Sequence, residues 1–134
     1  MPGTLESLGP IVRYVLEAAG TAGLDRRASY RLRLAVDELA TNIVNHGYKE
    51  SGRAGAVLVR AELDQQWLTI VLEDAGVPFD PRSLARPSQI DLPLEDRPIG
   101  GLGVYLAIQG VDEFRYEYVD SRNRNILRMR RASV

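Results

Sequence analysis

An α+β fold, with about three helices on one face of a mostly antiparallel sheet, is predicted for this chain by three observations. Two stretches of helical periodicity come first, over residues 5–23 and 25–46. Two pairs of alternating segments follow, each pair separated by a short polar turn. Between those pairs lie an irregular Pro-rich stretch and one short helical pattern. Of the 134 residues, 45% are hydrophobic and 26% charged, which suits one domain over 1–134 with its own core.

Each element has a local reason. Leu5, Leu8, Val12, Val15 and Ala19 recur at helical spacing, with Gly9-Pro10 either breaking or starting the helix and Gly20–Gly23 ending it. Asp25 is placed to cap a longer helix running to about His46, whose apolar stripe is Leu32, Ala35, Val36, Leu39 and Ile43. Gly47 ends it, and residues 48–55 read as a loop. Val57, Val59, Ala61 and Leu63 then alternate with polar neighbours. Asp64-Gln65-Gln66 turns the chain, and residues 67–73 alternate again through Leu68, Ile70 and Leu72, which predicts a hairpin. Residues 75–99 hold five of the seven prolines, the mark of a functional lid or a disordered segment. Residues 102–109 return to a helical pattern. Residues 113–119 and 125–131 form a closing hairpin around Asp120-Ser121-Arg122-Asn123.

Composition removes several function classes. The formal net charge is −1, so nothing favours direct nucleic-acid or membrane-surface binding. Cysteine is absent, which excludes a disulfide scaffold, cysteine–zinc sites and a thiol nucleophile. No apolar run reaches the ~18 residues of a membrane span, and the first residues lack the pattern of a signal peptide, so a cytoplasmic location is expected. Lys49 is the only lysine, and it follows neither a P-loop nor a kinase-type strand. A nucleotide site here must therefore handle phosphate charge with Mg²⁺, arginine and backbone N–H groups.

Three clusters could carry chemistry. Glu38, Asn42 and His46 stand at i, i+4 and i+8, so an α-helix aims them the same way, with Thr41 and Asn45 flanking. The carboxylate suits a base, and the amide oxygen suits a hard cation. Asp74 ends a strand, and Gly76 permits close backbone approach just beyond it. Gly100-Gly101-Leu102-Gly103 precedes a helix, where bare N–H groups can face an anion.

In this order the clusters resemble the N, G1 and G2 boxes of the Bergerat (GHKL) ATPase superfamily, over nearly the whole chain. The runs Leu34–Tyr48, Pro78-Phe79-Asp80-Pro81 and Gly100–Leu106 look like those of anti-sigma-factor serine kinases of the RsbW/SpoIIAB type. The resemblance implies a two-layer α/β sandwich binding ATP and Mg²⁺. It implies that Asn42 helps hold Mg²⁺ and that Glu38 is the general base. It further implies that Asp74 accepts from the adenine amino group beside Gly76. Gly100, Gly101, Leu102 and Gly103 would meet the phosphates, Asn45 and His46 would border the nucleotide, and Asn125 would line the adenine end. For His46 a packing role is an equal alternative. The lid would span about 82–99, with Arg82, Arg86 and Arg97 as undecided phosphate contacts. The implied partners are a sigma factor and a STAS-type anti-sigma-factor antagonist, whose serine is phosphorylated by a homodimer. The alternative is an ATP-gated binding module with little transfer. Members of the family begin with a strand, for which residues 1–4 are too short; either the start is truncated or the sheet lacks that edge.

Overall fold

The computed structural model describes residues 1–49, 52, 55–83 and 101–131. Within them a two-layer α+β sandwich is observed, as predicted. A 3₁₀ turn at Leu5–Ser7 leads into helix α1 (Leu8–Ala22). Pro10 lies in the first turn of α1, where its missing N–H leaves no bond unmade. Gly23 closes the helix at φ 75°: its N–H reaches Gly20 O, and the N–H of Leu24 reaches Ala19 O. This pair of bonds is a Schellman stop, which glycine alone enters without a β-carbon penalty.

The buried stripe of α1 is Ile11, Val15, Ala19 and Ala22, whereas Leu5 is 51% exposed. Of the predicted stripe, Val15 and Ala19 are buried and Leu8 packs against the core, while Leu5 falls outside it. The 3₁₀ turn winds three residues per turn, so extrapolating α-helical spacing back through it misplaces the face.

Helix α2 (Arg26–Asn42) begins at the predicted cap, with Asp25 Oδ1 accepting from the Ala28 N–H at 2.7 Å. All five predicted stripe residues, Leu32, Ala35, Val36, Leu39 and Ile43, are buried. The helix does not end at His46. It widens into a π-helix over Ile43–Lys49, so Gly47 and Tyr48 are helical rather than a stop and a loop.

Strands β1 (Val57–Leu63), β2 (Trp67–Asp74), β3 (Glu113–Val119) and β4 (Arg122–Arg130) form one antiparallel sheet in the order β1-β2-β4-β3. Helix α3 (Gly101–Gln109) precedes β3. The β3–β4 turn is tighter than predicted. Asp120 and Ser121 both take positive φ, 54° and 60°, so two residues suffice and β4 already starts at Arg122. One sheet face meets the helices through Leu68, Ile70, Leu72, Leu127 and Met129, each at most 1% exposed. The other face carries Arg60–Glu62, Arg128–Glu113 and a Glu73–Arg124–Glu117 triad, with the Arg128 and Arg130 guanidinia over Trp67.

The N-terminal residues do pair with the sheet, although no full strand forms. Val57 N donates to Met1 O at 2.8 Å, and Gly3 N donates to Gly55 O at 2.8 Å. Tyr48 locks this corner. Its ring is 2% exposed, its hydroxyl donates to Ala56 O at 2.7 Å and accepts from Ala75 N at 2.9 Å. One phenol thus joins the π-helix, β1 and the end of β2. Tyr48→Phe is expected to cost about 1–2 kcal/mol of stability, since the two backbone groups lose their partner; urea unfolding checks this.

Candidate functional site

The π-helix, the end of β2 and the start of β4 converge on one cleft, lined by Leu39, Asn42, Ile43, Gly47, Asp74, Val77, Phe79, Pro81, Asn123 and Asn125. Asp74 ends β2 on the helix-facing side and is 2% exposed. Its Oδ1 accepts from Gly76 N at 2.9 Å and from Asn123 Nδ2 at 3.0 Å. Burial pushes its carboxyl above the ordinary carboxylate value, partly offset by those two bonds.

Gly76 is required here by contact. A β-carbon on it would lie 2.7 Å from Gly47 O and 2.9 Å from Gly47 Cα, both backbone atoms. The bare Cα of Gly76 therefore lets the β2 end meet the backbone of the π-helix at Gly47 beside Asp74.

Asn123 holds the loop after β2. Its Nδ2 donates to Asp74 Oδ1, to Gly76 O at 3.3 Å and to Val77 O at 3.1 Å. Its Oδ1 accepts from Phe79 N at 3.0 Å and from the Tyr116 hydroxyl. One buried amide thus ties β2, the following loop, β3 and β4 together. Sequence reasoning missed it because Asn123 was assigned to the turn. The available signal was the two-residue phase of β4: Asn123, Asn125, Leu127 and Met129 share a face, and two amides at core-facing positions are unusual.

Asn125, two residues on, is 3% exposed and lines the same cleft. Its Oδ1 is buried with no hydrogen-bond partner. An unpaired buried acceptor costs about 1–3 kcal/mol, so a donor that enters the cleft recovers that loss.

The structure also gathers the helix residues. Asn42 is buried at the cleft wall, one turn beyond Glu38. Glu38 is half-buried and stands against the start of α3: a β-carbon on Gly103 would lie 3.0 Å from Glu38 Oε2. Asn45 lies half-buried in the π-helix. His46 falls within the π-helical segment, and its side chain lies outside the described residues. Gly101 and Leu102 open α3, as predicted for the glycine turn, with the Leu102 side chain outside the described residues. Gly100, Arg86, Arg97 and most of the 82–99 segment also lie outside them. Arg82 pairs with Asp80, Nη2 to Oδ2 at 2.7 Å. Among the described residues no group of three or more His, Asp or Glu gathers as a metal cage.

A family profile described as the histidine kinase-like ATPase domain matches residues 1–131. The serine-protein kinase RsbW of Bacillus cereus (strain ATCC 10987 / NRS 248) is 37% identical over 87 residues, covering 63% of this chain and 53% of that protein. The serine-protein kinase RsbW of Bacillus thuringiensis (strain Al Hakam) matches to the same extent. The chain spans about half the length of the curated relatives it matches. Among solved structures, the Erythrobacter litoralis EL346 blue-light activated histidine kinase aligns over 91% of this chain and 40% of its own, with TM-score 0.56 and 21% identity. The Acinetobacter baumannii histidine kinase AdeS aligns over 93% and 65%, with TM-score 0.55 and 16% identity. These two share the fold.

Proposed function

We propose that this chain, which belongs to the histidine kinase-like ATPase family, binds ATP with Mg²⁺ in the cleft and transfers the γ-phosphoryl group to a serine of a STAS-type anti-sigma-factor antagonist. The same chain, as a cytoplasmic homodimer, would sequester the sigma factor. The observation that carries the nucleotide reading is the pairing of two buried acceptors, the Asp74 carboxylate and the orphaned Asn125 Oδ1, on the wall that Gly47 and Gly76 leave bare. An adenine presents an exocyclic amino donor, and a flat base needs backbone without β-carbons beside it. The likeness to proteins named serine-protein kinase supports serine as the acceptor.

Each residue then has a chemical task. Asp74 orients the base through its amino group, with Asn123 fixing the carboxylate and the loop beyond it. Asn42 would hold Mg²⁺ through its amide oxygen, and the ion would neutralise phosphate charge; one protein ligand is ordinary for it. The N-terminus of α3, from Gly101 to Gly103, aims backbone N–H groups at the phosphates. Glu38, beside Gly103, takes the hydroxyl proton as the serine oxygen bonds the γ-phosphorus and ADP departs with the broken bond's electrons. Phosphoryl transfer asks mainly for such positioning and charge neutralisation. No described helix is long and apolar enough to cross a membrane. The outer edge of β1 beyond the N-terminal bridge, with Leu58 and Leu63 each 45% exposed, offers a surface for a second copy.

The test is to incubate the protein with [γ-³²P]ATP, Mg²⁺ and a purified STAS-type antagonist, and to look for acid-stable label on serine. Tight ATP binding without label would sink the kinase reading and leave an ATP-gated binding module. Glu38→Ala is expected to lower transfer by about 10²–10⁴-fold while ATP affinity holds. Asn42→Ala is expected to weaken Mg²⁺-dependent ATP binding by about tenfold, measured by calorimetry with and without EDTA.

A further inference from the structure

The surface between α2 and α3 carries apolar and basic side chains that the cleft does not use. Glu38 abuts Gly103, and the Arg31 stem lies 3.7 to 3.8 Å from a β-carbon placed on Gly110. Rising numbers on α3 thus meet falling numbers on α2, so the two helices lie side by side and antiparallel. That register sets Leu34 level with Leu106.

Both helices turn their core residues to the sheet, α2 through Leu32, Ala35, Val36 and Leu39, and α3 through Val104, Ala107 and Ile108. On a helical wheel of about 100° per residue, Leu34 and Leu106 then fall on the facing upper lips of the interhelical groove. They are 40% and 56% exposed, and Tyr30, one turn before Leu34, is 61% exposed. Leu34 and Leu106 thus stand as two exposed apolar side chains across the line where the helices meet, with Tyr30 beside them on the outer face of α2.

The groove is also electrically polarised. Arg27 and Arg31 are exposed, four residues apart, on the α3 side of α2. Among the described residues the ion pairs use Arg60, Arg82, Arg124 and Arg128, and none uses an arginine of α2. No acid lies in the first turn of α2, where the macrodipole is already positive and arginine is disfavoured. The Asp25 cap answers the helix end itself and leaves the Arg27 and Arg31 guanidinia facing solvent. Glu38 marks the other end, about 10 Å away at 1.5 Å per residue.

We propose that this groove docks the protein that receives the phosphoryl group, through an acidic amphipathic helix. Its apolar side chains seat between Leu34 and Leu106, and its carboxylates meet Arg27 and Arg31, in the helix-in-groove mode. The assignment rests on the cleft being a phosphoryl-transfer site, because the groove ends at Glu38. A negatively charged partner is drawn first to the Arg27/Arg31 end, which leaves its other end pointing at the cleft.

The experiment uses the full chain with a purified STAS-type antagonist as acceptor, measuring KM and kcat for the antagonist and, separately, affinity for the fluorescent analogue mant-ATP. Leu34→Gln/Leu106→Gln and Arg27→Gln/Arg31→Gln alter exposed side chains, so the fold is retained. Each pair is expected to raise KM for the antagonist by about tenfold or more with kcat within about twofold, as for other interface anchors. Mant-ATP affinity should stay at the wild-type value. The arginine pair should also flatten the rise of KM with ionic strength. Unchanged KM in both variants, with normal transfer, would overturn the docking surface alone. Loss of sigma-factor binding with KM unchanged would give the groove to that partner and overturn the assignment as well. A wild-type protein that binds mant-ATP yet labels no antagonist would remove the phosphoryl-transfer reading and the groove's occupant with it.

Discussion

Asp74→Asn is expected to lower ATP affinity by about 10–100-fold, the loss of a charge-assisted hydrogen bond, while raising the thermal midpoint of the nucleotide-free protein at neutral pH. The two effects have one cause. Burial lifts the Asp74 carboxyl above its ordinary value of 3.8, so the ionised group is unfavourable in the folded state. A raised folded value means that the native state holds the proton more tightly than the unfolded chain. Its stabilising contribution is then complete below the unfolded value and is lost as pH rises through the folded one. At neutral pH the folded protein therefore carries a buried charge at a cost. The asparagine amide keeps the size and an oxygen for Gly76 N and Asn123 Nδ2, but removes the charge. ATP binding should run the other way. The wild-type affinity should fall on acidification sooner than an ordinary carboxylate would dictate, because the base-binding carboxylate protonates early. Calorimetric titration with ATP, paired with scanning calorimetry across pH 4 to 8, reads both trends. A variant that binds ATP normally would remove Asp74 from base recognition.

Gly76→Ala is expected to damage stability and nucleotide binding together. The new β-carbon would press on Gly47 O at 2.7 Å, on Gly47 Cα at 2.9 Å and on Asp74 Oδ1 at 3.0 Å. Two of these are backbone atoms of a buried helix, which cannot swing aside as a long side chain would. Overpacking of this kind costs about 1–3 kcal/mol. Relief comes only by parting the π-helix from the β2 end, which also opens the base-binding wall. Loss of ATP binding together with a lower urea midpoint is the expected result. Gly103→Ala serves as the contrast, because its β-carbon would meet the Glu38 carboxylate, which can rotate away. Its stability should stay within about 1 kcal/mol of wild type. Equal damage from the two would refute the backbone-contact account.

What was legible in the sequence follows from which interactions are local. The α2 stripe was readable because Asp25 caps it and five core residues keep one period for the whole helix. The two hairpins were readable because alternation and short polar turns coincide. Asp74, Gly76, Glu38 and Asn42 stand out in the sequence through the order that resembles the family's boxes; the fold sets Asn42 and Asp74 on one cleft and Glu38 against Gly103. Errors arose where the winding changes without a signal. The 3₁₀ turn before α1 carries Leu5 off the stripe that Leu8, Val15 and Ala19 keep, and the π-helix carries Gly47 and Tyr48 into a helix where the sequence predicts a stop. Asn123 was hidden by a different assumption. Asp120 and Ser121 take left-handed backbone without glycine, so the sequence announced a longer turn than the chain uses. Its five hydrogen bonds are all long-range apart from the one to Tyr116, and no local pattern encodes them.

The π-helix also sets where the chain tolerates a change in length. Its hydrogen bonds reach five residues back instead of four, so the segment accommodates one residue more per turn than an α-helix would. Deleting one residue between Asn42 and Gly47 would let the segment rewind as ordinary α-helix and move every later residue one place round. Tyr48 would then be drawn into the place of Gly47; a β-carbon there meets only ordinary contacts, 3.7 Å from Asp74 Oδ1 and 3.9 Å from Gly76 Cα, so the cost of the shift is the loss of the Tyr48 hydroxyl's bonds to Ala56 O and Ala75 N. Insertions and deletions are absorbed cheaply in surface loops. Here the miscounted turn is the device that sets the Tyr48 hydroxyl between Ala56 and Ala75, and the length of seven residues is as binding a specification as any side chain in the cleft.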